Sequence, residues 1–274
     1  MGIFSSSLSN CLNKDNVCTF MRKCLFRVLS VGSIPNHIAF IMDGNRRYAR
    51  SVNLNEGEGH KVGSVALMSM LRYCYELGVK YVTIYAFSID NFKRNPQEVE
   101  SLMNLMQEKI EGLLKEESIV TSYGIRVYFV GNLKLLPEPV RLAAEKAMAA
   151  TAKNNKAFLS ICVAYTSTDE IVHAVRGACG ERKKMIQETD SKDLCVKSAD
   201  IERHLYTSMI PDPDIVVRTS GETRLSNFLL WQTTYSYLYS PSALWPEISF
   251  WHLVWGVLNY QRAKPYLEKK KKQL

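Results

Sequence analysis

Six short runs rich in β-branched and aromatic residues set the tightest limit on what this chain can become. They are HIAFIM (37–42), YVTIYAF (81–87), IRVYFV (125–130), FLSICVA (158–164), IVVR (215–218) and YLY (237–239). A strand buried on one face alternates apolar with polar residues, whereas a strand covered on both faces reads as a nearly continuous apolar run. These runs are of the second kind, and helix-period segments separate them in a βαβαβ order. The implied fold is α/β: a single domain with a central, mostly parallel six-stranded sheet, flanked by helices and joined by right-handed crossovers. No internal repeat or low-complexity linker interrupts the pattern, and 274 residues suit one such core better than two small ones.

Two of the intervening helices carry long apolar faces. One presents Val62, Val65, Ala66, Leu71 and Leu77; the other, after Asn95-Pro96, presents Val99, Leu102, Met103, Met106, Ile110, Leu113 and Leu114. Ordinary core packing satisfies this spacing, and so does enclosure of an apolar ligand.

The formal charge of +8 is concentrated at the ends, in Arg22, Lys23 and Arg27 and in Lys264 and Lys269 to Lys272. No base-stacking or finger motif accompanies it, so nucleic acid is not an expected partner. End clusters of this kind fit a solvated tail or a peripheral membrane contact. The seven cysteines are odd in number and none stands in a CxxC pair, which reads as reduced thiols in an intracellular protein. No apolar run approaches the ~20 residues that a membrane span needs.

Residues 1–33 differ in character from the rest. They are Ser-rich at the start, hold one acid (Asp15), and then set Phe20, Cys24, Leu25 and Leu29 against Arg22, Lys23 and Arg27, as an interfacial amphipathic helix would. Met1-Gly2-Ile3-Phe4-Ser5-Ser6 also fits the N-myristoylation pattern, with Cys11, Cys18 and Cys24 available as a second lipid site. A disordered leader and a plastid transit peptide are the alternatives. The expected organisation is a membrane-surface segment at 1–33, a catalytic domain at 34–262 and a basic tail at 263–274.

Chemistry is concentrated in the loops that follow three of the strands. Asp43-Gly44-Asn45-Arg46-Arg47 follows the first run and leads into a helical segment, the place where α/β sheets bind ligands and where backbone N–H groups meet anions. The two arginines supply forked donors for phosphate oxygens. Asp43 would repel a diphosphate unless a cation bridged them, and Mg²⁺ commonly takes one carboxylate plus phosphate oxygens and waters. Asp43 is therefore a candidate Mg²⁺ ligand, although a helix N-cap aspartate would look the same. After the fifth run, Arg218 and Arg224 with the Ser226 hydroxyl could surround a second diphosphate; after the second run come Ser88, Asn91 and Arg94. Three polar loops thus meet one rim of the sheet, with apolar helices beside them.

The segments HIAFIMDGNRRYAR, GHKVG, YAFSIDNFKR and DIVVRTSGETRLSNFLLWQ resemble, in content and in order, the motifs of the cis-prenyltransferase family, which includes undecaprenyl and dehydrodolichyl diphosphate synthases and rubber-type transferases. The resemblance runs from about Ile34 to Arg262. It implies a hydrophobic tunnel between the flanking helices and the sequential condensation of isopentenyl diphosphate onto an allylic diphosphate, with Mg²⁺ as cofactor. By resemblance, Asp43 holds the metal, while Gly44, Asn45, Arg46 and Arg47, with His60 and Arg94, grip the allylic diphosphate. Arg218, Arg224 and Ser226 would grip isopentenyl diphosphate, and Ser88 and Asn91 would lie near the reacting atoms.

Several positions depart from the single-chain bacterial pattern. Arg46 replaces a glycine, Glu56 stands where an arginine is common, Tyr237 occupies a frequent metal-site carboxylate position, and the C-terminal Arg-x-Gly is missing. These departures imply a partner subunit resembling the Nogo-B receptor, at the cytoplasmic face of the endoplasmic reticulum or in the cytosol. The segment Glu108 to Ser118 is longer than the bacterial medium-chain pattern, which implies a long product. The alternative within the family is a non-catalytic regulatory subunit, but such subunits lose the Asp-Gly-Asn motif that this chain keeps.

Overall fold

The computed structural model describes residues 19–115, 118–189 and 195–273. Its strands are β1 (His37–Ile41), β2 (Tyr81–Ser88), β3 (Ile125–Val130), β4 (Ala157–Tyr165), β5 (Ile215–Arg218) and β6 (Tyr237–Tyr239). They form one six-stranded sheet in the order β3-β4-β2-β1-β5-β6, and every pairing is parallel. Each expected strand is present to within a residue or two of its ends. The chain builds β1, adds β2 beside it, goes out to β3 at the edge, turns back to place β4 between β3 and β2, then crosses to the other side of β1 for β5 and β6. The order therefore reverses beside β1, and such a switch point opens a crevice at the carboxyl ends of the strands.

Helices cover both faces. Residues 19–29 form α1; after β1 come α2 (Asn45–Ser51) and α3 (Glu56–Leu77), then α4 (Pro96–Leu113), α5 (Ile119–Tyr123) and α6 (Glu138–Ala150). Following β4 are α7 (Ser167–Thr189) and α8 (Ser198–His204), and the chain closes with α9 (Phe250–Lys271). Local sequence sets the helix limits. Asn95 caps α4 by accepting from the Gln97 N–H at 2.9 Å, and Pro96 follows at the first helical position, where its missing N–H costs nothing. Gly78 ends α3 in the left-handed conformation at φ 97°, which a side chain would resist.

The main core lies under α1, α3, α4, α6 and α9, and a second cluster around Ala39, Cys162, Tyr165 and Phe228 fills the opposite face. Two expectations about helix faces change phase. In α1 the buried residues are Phe26 and Leu29, and Phe20 is 68% exposed, because Phe26 packs on the Phe250 ring while Arg22 turns to Glu76 at 2.7 Å. In α3 the core is Met70, Leu71, Cys74, Tyr75 and Leu77, and Val65 is exposed. The helix α9 continues without a break across position 262, so residues 263–271 are helical rather than a separate tail. Gly2, Cys11 and Cys18 lie outside the described residues, as do Glu116 and Glu117.

Candidate active site

The loop after β1 turns at Gly44, whose φ of 111° favours glycine and whose Cβ position is taken by Leu244, with Cδ2 at 2.9 Å. This turn brings Asp43 against the loop after β5. One Asp43 oxygen accepts from Arg218 Nη2 at 2.8 Å, and the other accepts from Arg47 Nη2 at 3.2 Å. Arg47 also donates to Ser220 Oγ at 2.5 Å. Burial pushes the Asp43 carboxyl up, but Arg218 and then Arg47 outweigh it and hold the group below the usual carboxylate range. Asp43 is therefore an anion at neutral pH.

Arg218 is buried and its guanidinium spans the site, reaching Ser226 Oγ and the Arg224 carbonyl through Nη1, both at 2.5 Å. Its Nε is buried without a hydrogen-bond partner, as is Asn45 Oδ1. Orphaned polar atoms in a crevice are costly, and they mark positions where a ligand can supply the missing bond.

Below this polar mouth lies a cavity of about 690 Å³. Asp43, Asn45, His60, Ser88, Asn91, Arg94, Arg218 and Ser226 all line it. Its walls come from Leu67 and Met68 of α3 and from Leu102, Met106, Ile110 and Leu113 of α4, and its floor from Phe129, Leu159 and Ile161. The two expected helices therefore enclose an apolar space in addition to packing the core. Tyr85 also borders it; burial raises its phenol to about 12, so it is neutral, and its proton is donated to Tyr165 O at 3.1 Å.

The second loop is locked by its own capping. Asn91 Oδ1 accepts from the Ser88 N–H at 2.9 Å and Ser88 Oγ accepts from the Asp90 N–H at 3.2 Å, which leaves the Asn91 amide NH₂ as the available donor end. Not every expected residue converges. Arg224 is 65% exposed and pairs with Glu222; Gly44, Arg46 and Arg47 stand beside the cavity rather than lining it. Arg94 pairs with Glu98 at 2.9 Å, and Arg46 approaches the same oxygen at 4.0 Å. Each guanidinium meets a nearby acid, but Arg94 and Arg46 share Glu98 and Arg47 shares Asp43 with Arg218, so positive charge remains at the rim.

Four contributors, Trp245, Gly59, Gly63 and Thr219, were given no role by the sequence reading. Trp245, fully buried in a loop, donates its indole N–H to Gly63 O at 2.9 Å and its backbone N–H to Asp43 O at 2.9 Å. Gly59 and Gly63 let α3 approach the Asp43 loop: a Cβ on Gly63 would sit 2.1 Å from Asn45 Oδ1. Thr219 lies under Asp43. A tryptophan and a proline placed together in a polar loop, Leu244-Trp245-Pro246-Glu247, were the available signal for the first.

Among the described residues, no group of three or more His, Cys, Asp or Glu side chains could hold a metal by itself. A single carboxylate at the mouth of the cavity suits Mg²⁺, which commonly takes one or two protein carboxylates and completes its shell with substrate oxygens and water.

Comparison with known proteins gives a consistent picture. The profile of the undecaprenyl diphosphate synthase family of prenyltransferases matches residues 41–267. The chain is 58% identical to dehydrodolichyl diphosphate synthase CPT3 of Solanum lycopersicum, over 94% of this chain and 95% of that one. It is 56% identical to rubber cis-polyprenyltransferase HRT2 of Hevea brasiliensis, over 93% and 94%. With the human dehydrodolichyl diphosphate synthase complex subunit DHDDS the identity is 41%, over 93% of this chain and 76% of that one. Among solved structures, lavandulyl diphosphate synthase from Lavandula x intermedia, in complex with dimethylallyl diphosphate, is similar with a TM-score of 0.73 at 29% identity, covering 83% of this chain and 95% of that one.

Proposed function

Since the chain belongs to the undecaprenyl diphosphate synthase family of prenyltransferases, we propose that it is a cis-prenyltransferase that condenses isopentenyl diphosphate sequentially onto an allylic diphosphate such as farnesyl diphosphate. The observation that carries this reading is the Asp43 carboxylate held between Arg218 and Arg47 at the mouth of an apolar cavity of about 690 Å³. Such a site can bind two diphosphates at the rim and an isoprenoid tail below.

In the reaction the allylic C1–oxygen bond breaks, a bond forms from C4 of isopentenyl diphosphate to C1, and the C2 proton leaves. Asp43 would hold Mg²⁺, and the chemistry so supplied would be positive charge beside the leaving group. Arg218 and Ser226 are suited to hold isopentenyl diphosphate, with Arg224 able to turn inward from Glu222. Asn45, Arg46 and Arg47, which follow the turn at Gly44, with His60 of α3 and Arg94 after β2, are suited to the allylic diphosphate. The Arg218, Arg47 and Arg94 guanidiniums are held by hydrogen bonds before the reaction, so they stabilise developing negative charge with little reorganisation. Asn91, anchored by the Ser88 N–H, can orient the diphosphate oxygen that accepts the C2 proton. Holding both substrates in one crevice supplies the orientation.

The finer assignments belong to the same proposal. A long product of dolichol or rubber type fits α4, whose far end carries Lys109, Ile110 and Leu113 along the cavity. A Nogo-B-receptor-like subunit fits the missing Arg-x-Gly and Tyr237, which offers a phenol where a carboxylate is frequent. Peripheral contact with the endoplasmic reticulum fits α1, where Phe20, Met21 and Val28 are exposed alongside Lys23 and Arg27. No described helix is long and apolar enough to cross a membrane.

The test is incorporation of labelled isopentenyl diphosphate by the purified chain, alone and co-expressed with a candidate subunit, with product sizing. Mg²⁺-dependent elongation that Asp43→Ala abolishes in a folded protein supports the reading. Equal activity in Asp43→Ala refutes the site; equal turnover with and without the subunit refutes the heteromer; products of no more than eleven isoprene units refute the long tail.

A further inference from the structure

Asp43 carries the carboxylate of the site, yet nothing in its own loop fixes its peptide to the strand that bears Arg218. The β1–β5 ladder ends at the pair Ile41 and Arg218, two residues short of Asp43. Beyond that pair the ladder adds only the Thr219 N–H to Ile41 O, at 3.4 Å, and the backbone of Asp43 itself is met from this side by one side chain. The Thr219 hydroxyl donates to Asp43 O at 2.6 Å and accepts from the Asp43 N–H at 3.0 Å, so one oxygen serves both backbone groups of the same residue. The bond from Trp245 N–H to Asp43 O, at 2.9 Å, closes the third side. Thr219 is fully buried and stands immediately after Arg218, while Ser220, the next residue, accepts from Arg47. One partner of the Asp43 carboxylate, the clamp on its backbone and the hydroxyl that holds its other partner, Arg47, are therefore the consecutive residues Arg218, Thr219 and Ser220.

We propose that Thr219 is a positioning residue that sets the Asp43 carboxylate relative to Arg218 by clamping the Asp43 peptide, so that metal-bridged diphosphate is bound in reacting register. This rests on the reading of Asp43 and Arg218 as the diphosphate site. The chemistry of the clamp is specific. It needs a hydroxyl that donates and accepts at once, which Ser retains and Val, the nearest shape match to Thr, does not. Its loss is also tolerable for folding, because Asp43 N–H keeps Ile41 O at 3.0 Å and Asp43 O keeps Trp245 N–H. What changes is freedom of the peptide, and misplacement by about 1 Å at a reacting centre costs on the order of a hundredfold in rate.

The experiment compares wild type, Thr219→Val, Thr219→Ser, Thr219→Ala and Asp43→Ala. Thermal melting reports folding, calorimetry measures inorganic diphosphate binding with and without Mg²⁺, and steady-state kinetics separates kcat from KM. In Thr219→Val the gain in diphosphate affinity that Mg²⁺ confers should shrink about tenfold and kcat should fall roughly 10- to 100-fold in a folded protein. Thr219→Ser should recover most of both, and Asp43→Ala should abolish the Mg²⁺-dependent gain. If Thr219→Val does not fold, Thr219→Ala is read in its place against Thr219→Ser. Wild-type kcat and Mg²⁺-dependent affinity in folded Thr219→Val or Thr219→Ala overturn the proposal, as does equal impairment of Thr219→Ser. If Asp43→Ala too keeps the Mg²⁺-dependent gain, the diphosphate site has been misassigned and both readings fall.

Discussion

Lowering the pH below 6.5 should destabilise the fold through one histidine remote from the active-site mouth. His37 begins β1 and is 1% exposed, with Nδ1 at 2.7 Å from Pro211 O and Nε2 at 2.8 Å from Thr83 Oγ1. A carbonyl can only accept, so Nδ1 carries the proton and the Thr83 hydroxyl donates to Nε2: the ring is held neutral. Burial lowers its pKa from 6.5 to about 4, against the opposing pull of the Pro211 carbonyl and the Asp214 carboxylate. The folded value lies below the unfolded one, so protons favour the unfolded chain. The stabilisation is complete above pH 6.5 and is lost as pH falls through 4. At 1.36 kcal/mol per pKa unit the full effect is about 3 kcal/mol, of which about 2 kcal/mol is gone by pH 5. Urea unfolding of wild type and His37→Gln at pH 8 and pH 5 measures it. The variant should start lower, by about 1–2 kcal/mol for its altered hydrogen bonds, but should lose less between the two pH values. Equal losses in the two proteins would refute the assignment of the pH dependence to this ring.

Further outcomes concern the site. Gly63→Ala places a methyl 2.1 Å from Asn45 Oδ1 and 3.0 Å from Trp245 Cδ1 and should reduce turnover at least tenfold, whereas Gly57→Ala in the same helix meets nothing within 4 Å. The control should be neutral or raise the melting temperature; equal effects of the two would discount the close approach. Arg218→Ala should raise the KM for isopentenyl diphosphate about tenfold or more, since charge-assisted bonds worth roughly 1.5–3 kcal/mol are lost. Arg224→Ala should cost less, because its side chain is exposed and paired with Glu222; a larger effect would mean that the loop closes over the substrate.

The strands were legible because a sheet covered on both faces demands unbroken apolar runs, and IVVR or FLSICVA can serve little else. The Asp43 and Arg218 loops were legible for a related reason: charged residues at the carboxyl ends of such strands lie where α/β sheets bind ligands. Helix phase was harder. An isolated reading of α1 places Phe20 on the apolar face, but docking on Phe250 selects Phe26, and no local property of the segment encodes that choice. The same limit hid Glu98 and Glu222, since which acid neutralises a guanidinium is settled by tertiary approach. Trp245 and Thr219 act through backbone groups of distant residues, and periodicity carries no record of such contacts.

The pairing of Asp43 with Arg218 joins residues 175 positions apart, and this separation has a temporal meaning. At about 5–20 residues per second, synthesis leaves roughly 10 to 35 s between the appearance of the first and of the second. During that interval β1 can pair with β2, but its other edge awaits β5, and an unpaired apolar edge is a template for association with other chains. The loop closure that ends this exposure also brings Arg218 to Asp43, and the clamp from Trp245 arrives later still. A nascent chain of this protein therefore acquires its chemistry only when the aggregation-prone edge is covered, so that catalytic competence and protection of the central strand come in one late folding event.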